Sequence, residues 1–438
     1  SFINNDLMKI LQHYKFRLLP NQEQEILLNQ AIGSARFVWN QILAKSFEMF
    51  AKDEYIRYES IEKKLVPLKK TPEFSFLGQT YSACLQQKIR DLAQAWGKFY
   101  NKKEQARLKQ NKRKPRKPNF FKLADGGEIE LRPLMPRFKK KLDGEQSFRL
   151  PFADCEVIGD RVSLPKKTGW IRFKKSQEIV GKITSITIKK ICGLWYVSFF
   201  TNREIEQPIH PSKSTIGVDL GIKKLITIST GQVFDPINSF KANQVKLARL
   251  QRKLRKKTEF SQNWKKLNLR INKLHHHIAN IRHDYLHKVT TTLSKNHAMI
   301  VVEDLKVANM SKSAKGSIEE KGKNVKAKSD LNKSILDQGW SMLVNMLEYK
   351  QQWRGGLLVK IDPRYTSQTC SSCGHVAKEN RPTQAKFECV SCGFSENADI
   401  NASRNILAVG HTVLSVEGRC GKDRPVKQKA SEIREEVT

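Results

Sequence analysis

The sequence predicts a multi-domain α/β protein, and three features lead to that prediction. First, its 438 residues are enough for about three domains of ordinary size. Second, a helix-type hydrophobic pattern near the start gives way to short β-type runs, after which strands and helices alternate. Third, paired cysteine knuckles late in the chain indicate a small module stabilised by a metal ion.

The chain is strongly basic. It has 80 lysines and arginines against 43 acidic residues, a formal net charge of +37. Such a surface repels itself unless it binds an extended polyanion, so nucleic acid is the expected partner. A membrane surface is the alternative, but the basic residues are spread over the whole chain rather than along one amphipathic helix. No apolar run approaches the ~20 residues of a membrane span, so no membrane partner is expected.

The start of the chain is polar and shows no secretory signal. Residues 8–10 (Met-Lys-Ile) resemble a natural beginning, so residues 1–7 are expected to be an extension. Four cysteines outside the knuckles have no matched partner, as expected in a reducing compartment: Cys84, Cys155, Cys192 and Cys420.

A strand and then a helical unit are predicted next. Residues 14–19 alternate as a strand does and end at Pro20, and residues 21–24 form a capping box that opens a helix. A second helix has large apolar side chains at helical spacing, which is typical of core packing: Tyr81, Leu85, Ile89, Leu92, Trp96 and Phe99. Residues 21–110 are therefore predicted to be helical.

A basic run, 102–117, ends this unit. Nine of its sixteen residues are Lys or Arg, and only Glu104 is acidic. Pro115 and Pro118 break the helix. The run is either a solvated linker or a phosphate-binding segment, and in so basic a chain phosphate contact is favoured.

Short β-type runs lie between residues 147 and 200, most clearly at 183–188, where apolar and polar side chains alternate. Several short strands with glycine turns favour a small barrel. Residues 8–20 are expected to supply a further strand to it, which makes the helical unit an insertion.

The second half predicts a sheet with long helices. Strand-like runs occur at 214–219, 224–230, 298–303 and 357–361. Helical patterns cover 240–295, with a break near 259–261, and 335–353. The stretch 307–333 is poor in apolar residues, so it is predicted to be a mobile loop, and the polar tail after Gly410 is predicted to be disordered.

Two Cys-x-x-Cys-Gly knuckles with fifteen residues between them predict a zinc site formed by Cys370, Cys373, Cys389 and Cys392. Four thiolates at this spacing suit tetrahedral Zn²⁺, and the glycine after each knuckle lets the chain turn around the metal. A redox dithiol or a disulfide pair is the alternative, which two matched knuckles disfavour. Four cysteines leave no open position for water, so the zinc is predicted to be structural.

Three carboxylates stand out by context. Asp219 ends a strand-like run, Glu303 ends the apolar strand 299–303, and Asp399 opens the last predicted helix. A carboxylate after an apolar strand has little structural use, because burying it unpaired is costly. Three such groups together would bind hard cations such as Mg²⁺, and two ions held ~4 Å apart can hydrolyse a phosphodiester. In a basic chain these acids predict a nuclease.

Each acid taken alone has an ordinary alternative, a helix cap or a strand-end charge. Asp304 competes with Glu303, but adjacent strand residues point to opposite faces, so only one can join the site. Five histidines are also candidate metal ligands, although on a basic helix such residues are more often solvated or in contact with phosphate: His275, His276, His277, His283 and His287.

Several motifs together resemble those of one family. They are Gly217-Val218-Asp219-Leu220-Gly221, Val302-Glu303-Asp304-Leu305, residues 334–340, Thr366-Ser367-Gln368-Thr369-Cys370 and Ala398-Asp399-Ile400-Asn401-Ala402, with residues 19–21 and 33–40 near the start. The chain is similar in these motifs to the TnpB family, transposon-encoded RNA-guided nucleases related to type V CRISPR effectors. The resemblance extends from residue 8 to residue 410.

The resemblance implies an RNase H-like RuvC nuclease domain over 213–409 with a zinc ribbon inserted at 366–396. Asp219, Glu303 and Asp399 match the family's catalytic acids on the first strand, the fourth strand and a late helix. It also implies a wedge β-barrel and a helical recognition domain. The remaining predicted boundaries are 1–20 and 125–212 for the barrel, 21–124 for the recognition domain and 410–438 for a disordered tail.

The implied cofactors are Mg²⁺ (or Mn²⁺), Zn²⁺ and a guide RNA from the transposon end, and the implied target is double-stranded DNA beside a short motif. A cytoplasmic, nucleoid-associated location in a prokaryote is expected. The predicted function is an RNA-guided DNA endonuclease that uses one RuvC site for both strands. An RNA-guided repressor is the first alternative, which the intact acids disfavour, and a nuclease or transposase without a guide is the second.

Overall fold

The computed structural model describes residues 7–102, 105, 119–141, 145–316 and 322–419. The chain divides into two units, one spanning Leu7–Ile205 and the other beginning at Glu206. Residues 1–6 of the expected extension and nearly all of the basic run at 102–117 lie outside the described residues. Within the described part, no helix combines the length and apolar character needed to cross a membrane.

Most strands of the first unit belong to one sheet. The unit contains β1 (Leu7–Leu19), β2 (Phe120–Lys122), β3 (Glu128–Glu130), β4 (Glu145–Pro151), β5 (Glu156–Ile158), β6 (Arg161–Leu164), β7 (Gly169–Lys174), β8 (Lys182–Ile191) and β9 (Leu194–Glu206). Seven of them pair in the order β4-β8-β9-β1-β7-β6-β5, and β2 pairs separately with β3.

Strand β1 lies between β9 and β7, so the beginning of the described chain sits inside a sheet made from much later residues. Alternate side chains of β1 are buried, among them Ile10, Tyr14, Phe16 and Leu18, as a strand with one face on a core requires. The prediction that residues 8–20 join the later strands is confirmed. The helices that follow β1 are therefore an insertion.

The inserted helices of the first unit are α1 (Gln22–Ala51), α2 (Tyr58–Glu62), α3 (Leu65–Lys70) and α4 (Ser82–Tyr100). The predicted capping box opens α1, because the Gln24 N–H donates to Asn21 Oδ1 at 2.8 Å and the Asn21 N–H donates to Gln24 Oε1 at 3.0 Å. The predicted apolar stripe of α4 is buried, and its Trp96 Nε1–H donates to Ser46 Oγ of α1 at 3.0 Å. The predicted core packing is confirmed.

The second unit contains a five-stranded mixed sheet. Its strands are β10 (Thr215–Asp219), β11 (Ile226–Ile228), β12 (Val233–Phe234), β13 (Met299–Glu303) and β14 (Leu357–Ile361), in the order β12-β11-β10-β13-β14. β10, β13 and β14 run parallel, whereas β11 is antiparallel to β10. Parallel strands end at the same edge of a sheet, so the residues at the carboxyl ends of these three strands lie side by side.

The helices of the second unit are α5 (Ser239–Arg255), α6 (Gln262–Asn296), α7 (Val307–Met310), α8 (Val325–Gln338), α9 (Trp340–Arg354) and α10 (Ala398–Arg419). The predicted break in the first long helix is confirmed, and Ser261 Oγ caps α6 by accepting from the Trp264 N–H at 3.2 Å. The single helix predicted over 335–353 is wrong. It is interrupted at Gly339, whose φ of +72° favours glycine.

Residues 334–340, one of the motifs named above, include a buried acidic residue just before this interruption. Asp337 is 4% exposed and pairs with Arg282 of α6 at 2.7 Å. It also accepts from the Phe240 N–H at 3.0 Å and the Lys241 N–H at 3.2 Å, which belong to the first turn of α5. Asp337 thus satisfies a helix N-terminus and pairs with a partly buried arginine, which ties α5, α6 and α8 to one another.

The stretch 307–333, predicted to be a mobile loop, contains α7 and most of α8. Polar side chains hold it together: Lys328 Nζ donates to Met310 O at 2.7 Å and Asn332 Nδ2 donates to Ser311 O at 3.0 Å. Low apolar content therefore did not mean an irregular chain, and the prediction is wrong for residues 307–310 and 325–333. Residues 317–321 lie outside the described residues.

The tail prediction also needs correction, because α10 continues to Arg419 instead of ending near Gly410. Leu414 packs against the buried cluster that includes Val301 and Ile406, so this part of the helix has an apolar partner. A disordered tail is wrong for residues 410–419. Residues 420–438 lie outside the described residues.

Helix α10 lies directly on the sheet where glycine removes a side chain. A Cβ added to Gly217 of β10 would come within 2.0 Å of Ser403 O and 2.6 Å of Leu407 N, both backbone atoms of α10. Farther along, a Cβ at Gly410 of the helix would come within 2.4 Å of a methyl group of Val301 on β13. The two glycines set how closely α10 approaches β10 and β13.

We predict that Gly217→Ala destabilises the second unit by about 3 kcal/mol or more, because helix backbone atoms cannot move aside as a flexible side chain can. Calorimetry measures the loss of stability as a fall in the midpoint of the second unit's thermal transition. Gly97→Ala is the matched control, since Gly97 lies inside α4 with nothing within 4 Å of the added methyl group. Alanine there should be neutral or stabilising by up to ~1 kcal/mol. Unchanged stability of the Gly217 variant would contradict the close approach.

Candidate metal-binding sites

Two predicted acids end neighbouring parallel strands. Asp219 is the last residue of β10 and Glu303 the last residue of β13. The register pairs Val218 with Val302, the residues immediately before them. Both carboxyl-bearing residues therefore leave the sheet at the same edge and at the same level.

The third acid reaches this edge from helix α10. Asp399 lies in the first turn of α10, where Asn397 Oδ1 accepts from the Asp399 N–H at 3.0 Å and the Ile400 N–H at 3.3 Å. This cap fixes the direction in which the helix begins. Because α10 crosses β10 at Gly217, its first turn lies near the end of that strand.

Asp219 is affected by the charges of both other acids. Burial, together with the carboxylates of Glu303 and Asp399, raises the pKa of Asp219 to about 7. Burial also raises the pKa of Glu303, a hydrogen bond from Thr366 partly offsets this rise, and the nearby Asp362 adds to it. Such a cluster carries negative charge that its surroundings do not fully compensate, and a hard divalent cation with oxygen ligands would stabilise it. The residues present therefore fit Mg²⁺ or Mn²⁺.

One arginine partly compensates this charge. Arg381 Nη2 pairs with Asp399 Oδ1 at 3.4 Å, and the same guanidinium acts to lower the pKa of Asp219. Its effect is smaller than those of burial and the two other acids, because the pKa of Asp219 still rises. Arg381 is thus a cation beside two of the three carboxylates.

Reasoning from the sequence missed three residues of this site: Asp362, Thr366 and Arg381. Asp362 could have been found, because it follows the apolar strand β14 as Asp219 and Glu303 end theirs. Thr366 and Arg381 carried no such signal. Their roles depend on contacts across the fold, with Glu303 in one case and Asp399 in the other.

The competing candidates lie elsewhere. Asp304 Oδ2 pairs with the Lys306 ammonium, and Asp304 does not contribute to the raised pKa of Asp219. The rings of His283 and His287 are 4.4 Å apart, and burial, with help from Lys350, lowers the pKa of His287 to about 4. In the described part of the chain, a group of three or more close His, Cys, Asp or Glu ligand atoms is formed by the four knuckle cysteines, and not by these histidines or by the three acids.

The four knuckle cysteines form a cluster whose sulfur atoms all lie within 4.8 Å of one another. Sγ of Cys370 is 3.7 Å from Sγ of Cys392, and Sγ of Cys373 is 3.6 Å from Sγ of Cys389. A regular tetrahedron with Zn–S bonds of about 2.3 Å has sulfur atoms about 3.8 Å apart, whereas a disulfide bond is about 2 Å long. The cluster therefore fits Zn²⁺ and not a disulfide pair.

The chain around the cysteines is shaped for this cluster. Gly374 and Gly393, which follow the two knuckles, have φ of +78° and +72°, a region that favours glycine. Burial raises the pKa of the Cys389 thiol, but the N–H groups of Cys392 and Ser391 outweigh it and lower the pKa to about 6. A thiolate is the form that binds zinc.

The chain matches known families and proteins. The profile OrfB_IS605, "Probable transposase", matches residues 198–314, and a "Cas12f1-like, TNB domain" profile matches residues 340–406, which include the cysteine cluster. The chain is 45% identical to "Putative RNA-guided DNA endonuclease InsQ" of Escherichia coli K12, covering 97% of this chain and 99% of that protein.

The chain belongs to the TnpB family. A second relative, "Putative RNA-guided DNA endonuclease" of Streptomyces pristinaespiralis, is 28% identical over 92% of this chain and 90% of that protein. Among solved structures, the Cas12f1–sgRNA–target DNA complex has a TM-score of 0.49 and 14% identity, covering 91% of this chain and 98% of that chain.

One further family profile matches this TnpB-family chain but disagrees with its structure. A "Helix-turn-helix domain" profile matches residues 8–54. In the structure this stretch is the strand β1 followed by the single 30-residue helix α1. The stretch therefore lacks a second helix that could form a helix-turn-helix pair.

We predict that Asp219→Asn stabilises the metal-free protein at pH 8 but has little effect near pH 4. Because the folded-state pKa of Asp219 is raised to about 7 from 3.8, the wild type loses stability as the pH rises between these values. The asparagine amide of the variant does not ionise, so the variant does not lose stability in this way. Thermal melting in chelator from pH 4 to pH 9 measures the difference, which should grow up to pH 7 and then level off. A difference that does not depend on pH would contradict the raised pKa.

Cys389→Ser should abolish zinc binding and lower the melting temperature, because binding of a structural metal and local folding are coupled. Zinc per chain, measured by plasma mass spectrometry, should fall from one to near zero. Cys192→Ser is the control, since Cys192 lies outside the cluster. A Cys389 variant that retains wild-type zinc and stability would rule out the assigned ligands.

Proposed function

We propose that this chain is an RNA-guided DNA endonuclease in which Asp219, Glu303 and Asp399 bind divalent metal ions for phosphodiester hydrolysis. One observation carries the proposal: the carboxylates of Glu303 and Asp399 both act on the largely buried Asp219 where two parallel strands end, in a chain of net charge +37. A protein without a cation partner gains nothing from that repulsion. The 45% identical relative is named for the same activity.

The residues have separate tasks in this mechanism. Asp219 and Glu303 present oxygen ligands from the rigid ends of two parallel strands, and Asp399 presents one from the first turn of α10. When bound, Mg²⁺ or Mn²⁺ would supply the activation of water and the stabilisation of the leaving oxygen. Arg381, paired with Asp399, is positioned to hold that carboxylate and to contribute positive charge near the phosphate.

The second unit is proposed to be an RNase H-like RuvC domain. The strand order β12-β11-β10-β13-β14 supports this, since the acids then lie on the first strand, the fourth strand and a late helix, as the family resemblance implies. The cysteine cluster between the second and third acids is proposed to be the zinc ribbon. The seven-stranded sheet of the first unit is the proposed wedge barrel, and α1 to α4 are the proposed recognition domain.

Nucleic-acid binding is proposed to come from elsewhere in the chain. Dispersed lysines and arginines would contact phosphates, while base pairing between a guide RNA and one DNA strand would supply sequence specificity. The guide is proposed to derive from the transposon end, and the target to be double-stranded DNA beside a short motif. Binding and cutting should therefore be separable by substitution.

We expect Asp219→Ala to reduce cleavage of a guide-matched duplex by at least about a thousandfold while target binding changes little. Protein co-expressed with its transposon-end RNA is assayed for cleavage with Mg²⁺ and for binding by gel shift, on duplexes with varied flanking sequence. Asp304→Ala is the matched control, because Asp304 is paired with Lys306 and not with the other acids. It should cut like the wild type.

Three results would count against the proposal. Cleavage by Asp219→Ala protein would remove the proposed site. Wild-type protein that binds but never cuts, under any flank or metal, would favour an RNA-guided repressor. Cleavage that survives removal of the co-purified RNA would favour a nuclease without a guide.

A further inference from the structure

The turn before the first cysteine knuckle contacts both candidate metal sites. Residues 366–369, here called the knuckle turn, begin at Thr366 and lead directly into Cys370. Thr366 is 5% exposed, and the Thr369 N–H closes the turn by donating to Tyr365 O at 3.0 Å. A buried hydroxyl in so short a turn must find a hydrogen-bond partner nearby.

That partner is one of the three acids. The Thr366 hydroxyl donates to Glu303 Oε1 at 2.6 Å, a length typical of a hydrogen bond to a charged carboxylate. Pro363 O is a second acceptor at 3.1 Å. A hydroxyl has one proton to donate, and the shorter bond to the carboxylate is the stronger one. Thr366 therefore holds the carboxylate of Glu303.

Helix α10 holds the backbone of the same turn. Asn405 Nδ2 donates to Thr366 O at 2.9 Å and to Thr369 O at 2.6 Å, and Asn401 Nδ2 donates to Thr369 O at 2.8 Å. Asn401 is fully buried, so these bonds are protected from water. The helix also carries Asp399 in its first turn. The knuckle turn thus connects the group that holds Glu303 to the helix that carries Asp399.

The cysteine cluster is tied to the turn as well. The Ser371 N–H, inside the first knuckle, donates to Asn401 Oδ1 at 2.9 Å. Asn380 is fully buried, donates to Gln368 O at 2.9 Å and accepts from the Val390 N–H of the second knuckle at 3.0 Å. Asn401 and Asn380 therefore connect both knuckles to the turn by hydrogen bonds.

We propose that Thr366 is a positioning residue for Glu303, and that its hydroxyl, held in place by the knuckle turn, raises the affinity of the carboxylate site for a divalent cation by fixing the Glu303 carboxylate. The inference rests on the proposed function, because it takes the three acids to be metal ligands. Groups that hydrogen-bond to metal ligands commonly change metal affinity 10–100-fold.

The test measures binding of Mn²⁺ alone to zinc-loaded protein, from the electron paramagnetic resonance signal of free Mn²⁺. The sites of interest are those that Asp219→Asn removes. Thr366→Val should raise their Kd about tenfold or more, because it keeps the shape and loses the hydroxyl. Thr366→Ser keeps the hydroxyl and should stay within about twofold of the wild type.

The turn supplies a matched control. The Thr369 hydroxyl donates to Tyr365 O, immediately before the turn, at 2.8 Å and not to one of the acids. Thr369→Val removes this bond but should leave Mn²⁺ binding unchanged. Wild-type Mn²⁺ affinity in the Thr366→Val protein, or an equal loss in the Thr369→Val protein, would overturn the inference.

A double variant separates positioning from misfolding. In a Glu303→Gln background, Thr366→Val should cause no further change in Mn²⁺ affinity if Thr366 acts through Glu303. A further loss there would mean a general folding defect and would overturn the inference. If Asp219→Asn and the wild type bind Mn²⁺ alike, the proposed function itself fails. If Asp219→Asn loses binding and Thr366→Val does not, only the role of Thr366 fails.

Discussion

The arrangement of the second unit depends on one close contact, that of helix α10 with strand β10 at Gly217. A single added carbon at this position would lie 2.0 Å from a helix carbonyl oxygen, so the contact exists only with glycine. It brings the first turn of α10 to the edge where β10 and β13 end. At that edge, the charge of Asp399 helps to raise the pKa of Asp219. The acids are assembled by packing between elements that are far apart in sequence.

The two candidate metal sites are built in different ways, one from neighbouring residues and one from elements far apart in the chain. The cysteine cluster is local and closed, and its geometry follows from two tight knuckles and their glycines. The carboxylate site gathers residues from a parallel sheet and a distant helix, and it holds like charges together at a cost in free energy. A soft ion satisfies the first, and a hard ion would satisfy the second. Asn380, Asn401 and Asn405 connect them through backbone hydrogen bonds.

Part of the fold and of the two candidate sites could be predicted from the sequence, because some sequence signals are local. The capping box at Asn21, the stripe of α4 and the cysteine spacing depend on neighbouring residues, and the structure has all three. Asp219 and Glu303 were identified by their positions after apolar strands. Thr366 and Arg381 were missed, because only the folded chain brings them to Glu303 and Asp399. The helix over 410–419 was missed because its stabilising partner, Val301, lies more than a hundred residues earlier.

The order of the strands also has a consequence for how the protein is made. Strand β10 lies between β11 and β13, and helix α10 covers it only after the cysteine cluster has been synthesised. On the ribosome, Asp219 and Glu303 therefore emerge well before Asp399 and the helix that carries it. A nascent chain can therefore order its first unit while the third acid is still absent. Any reaction that needs all three acids has to wait until the cysteine cluster and α10 have been synthesised.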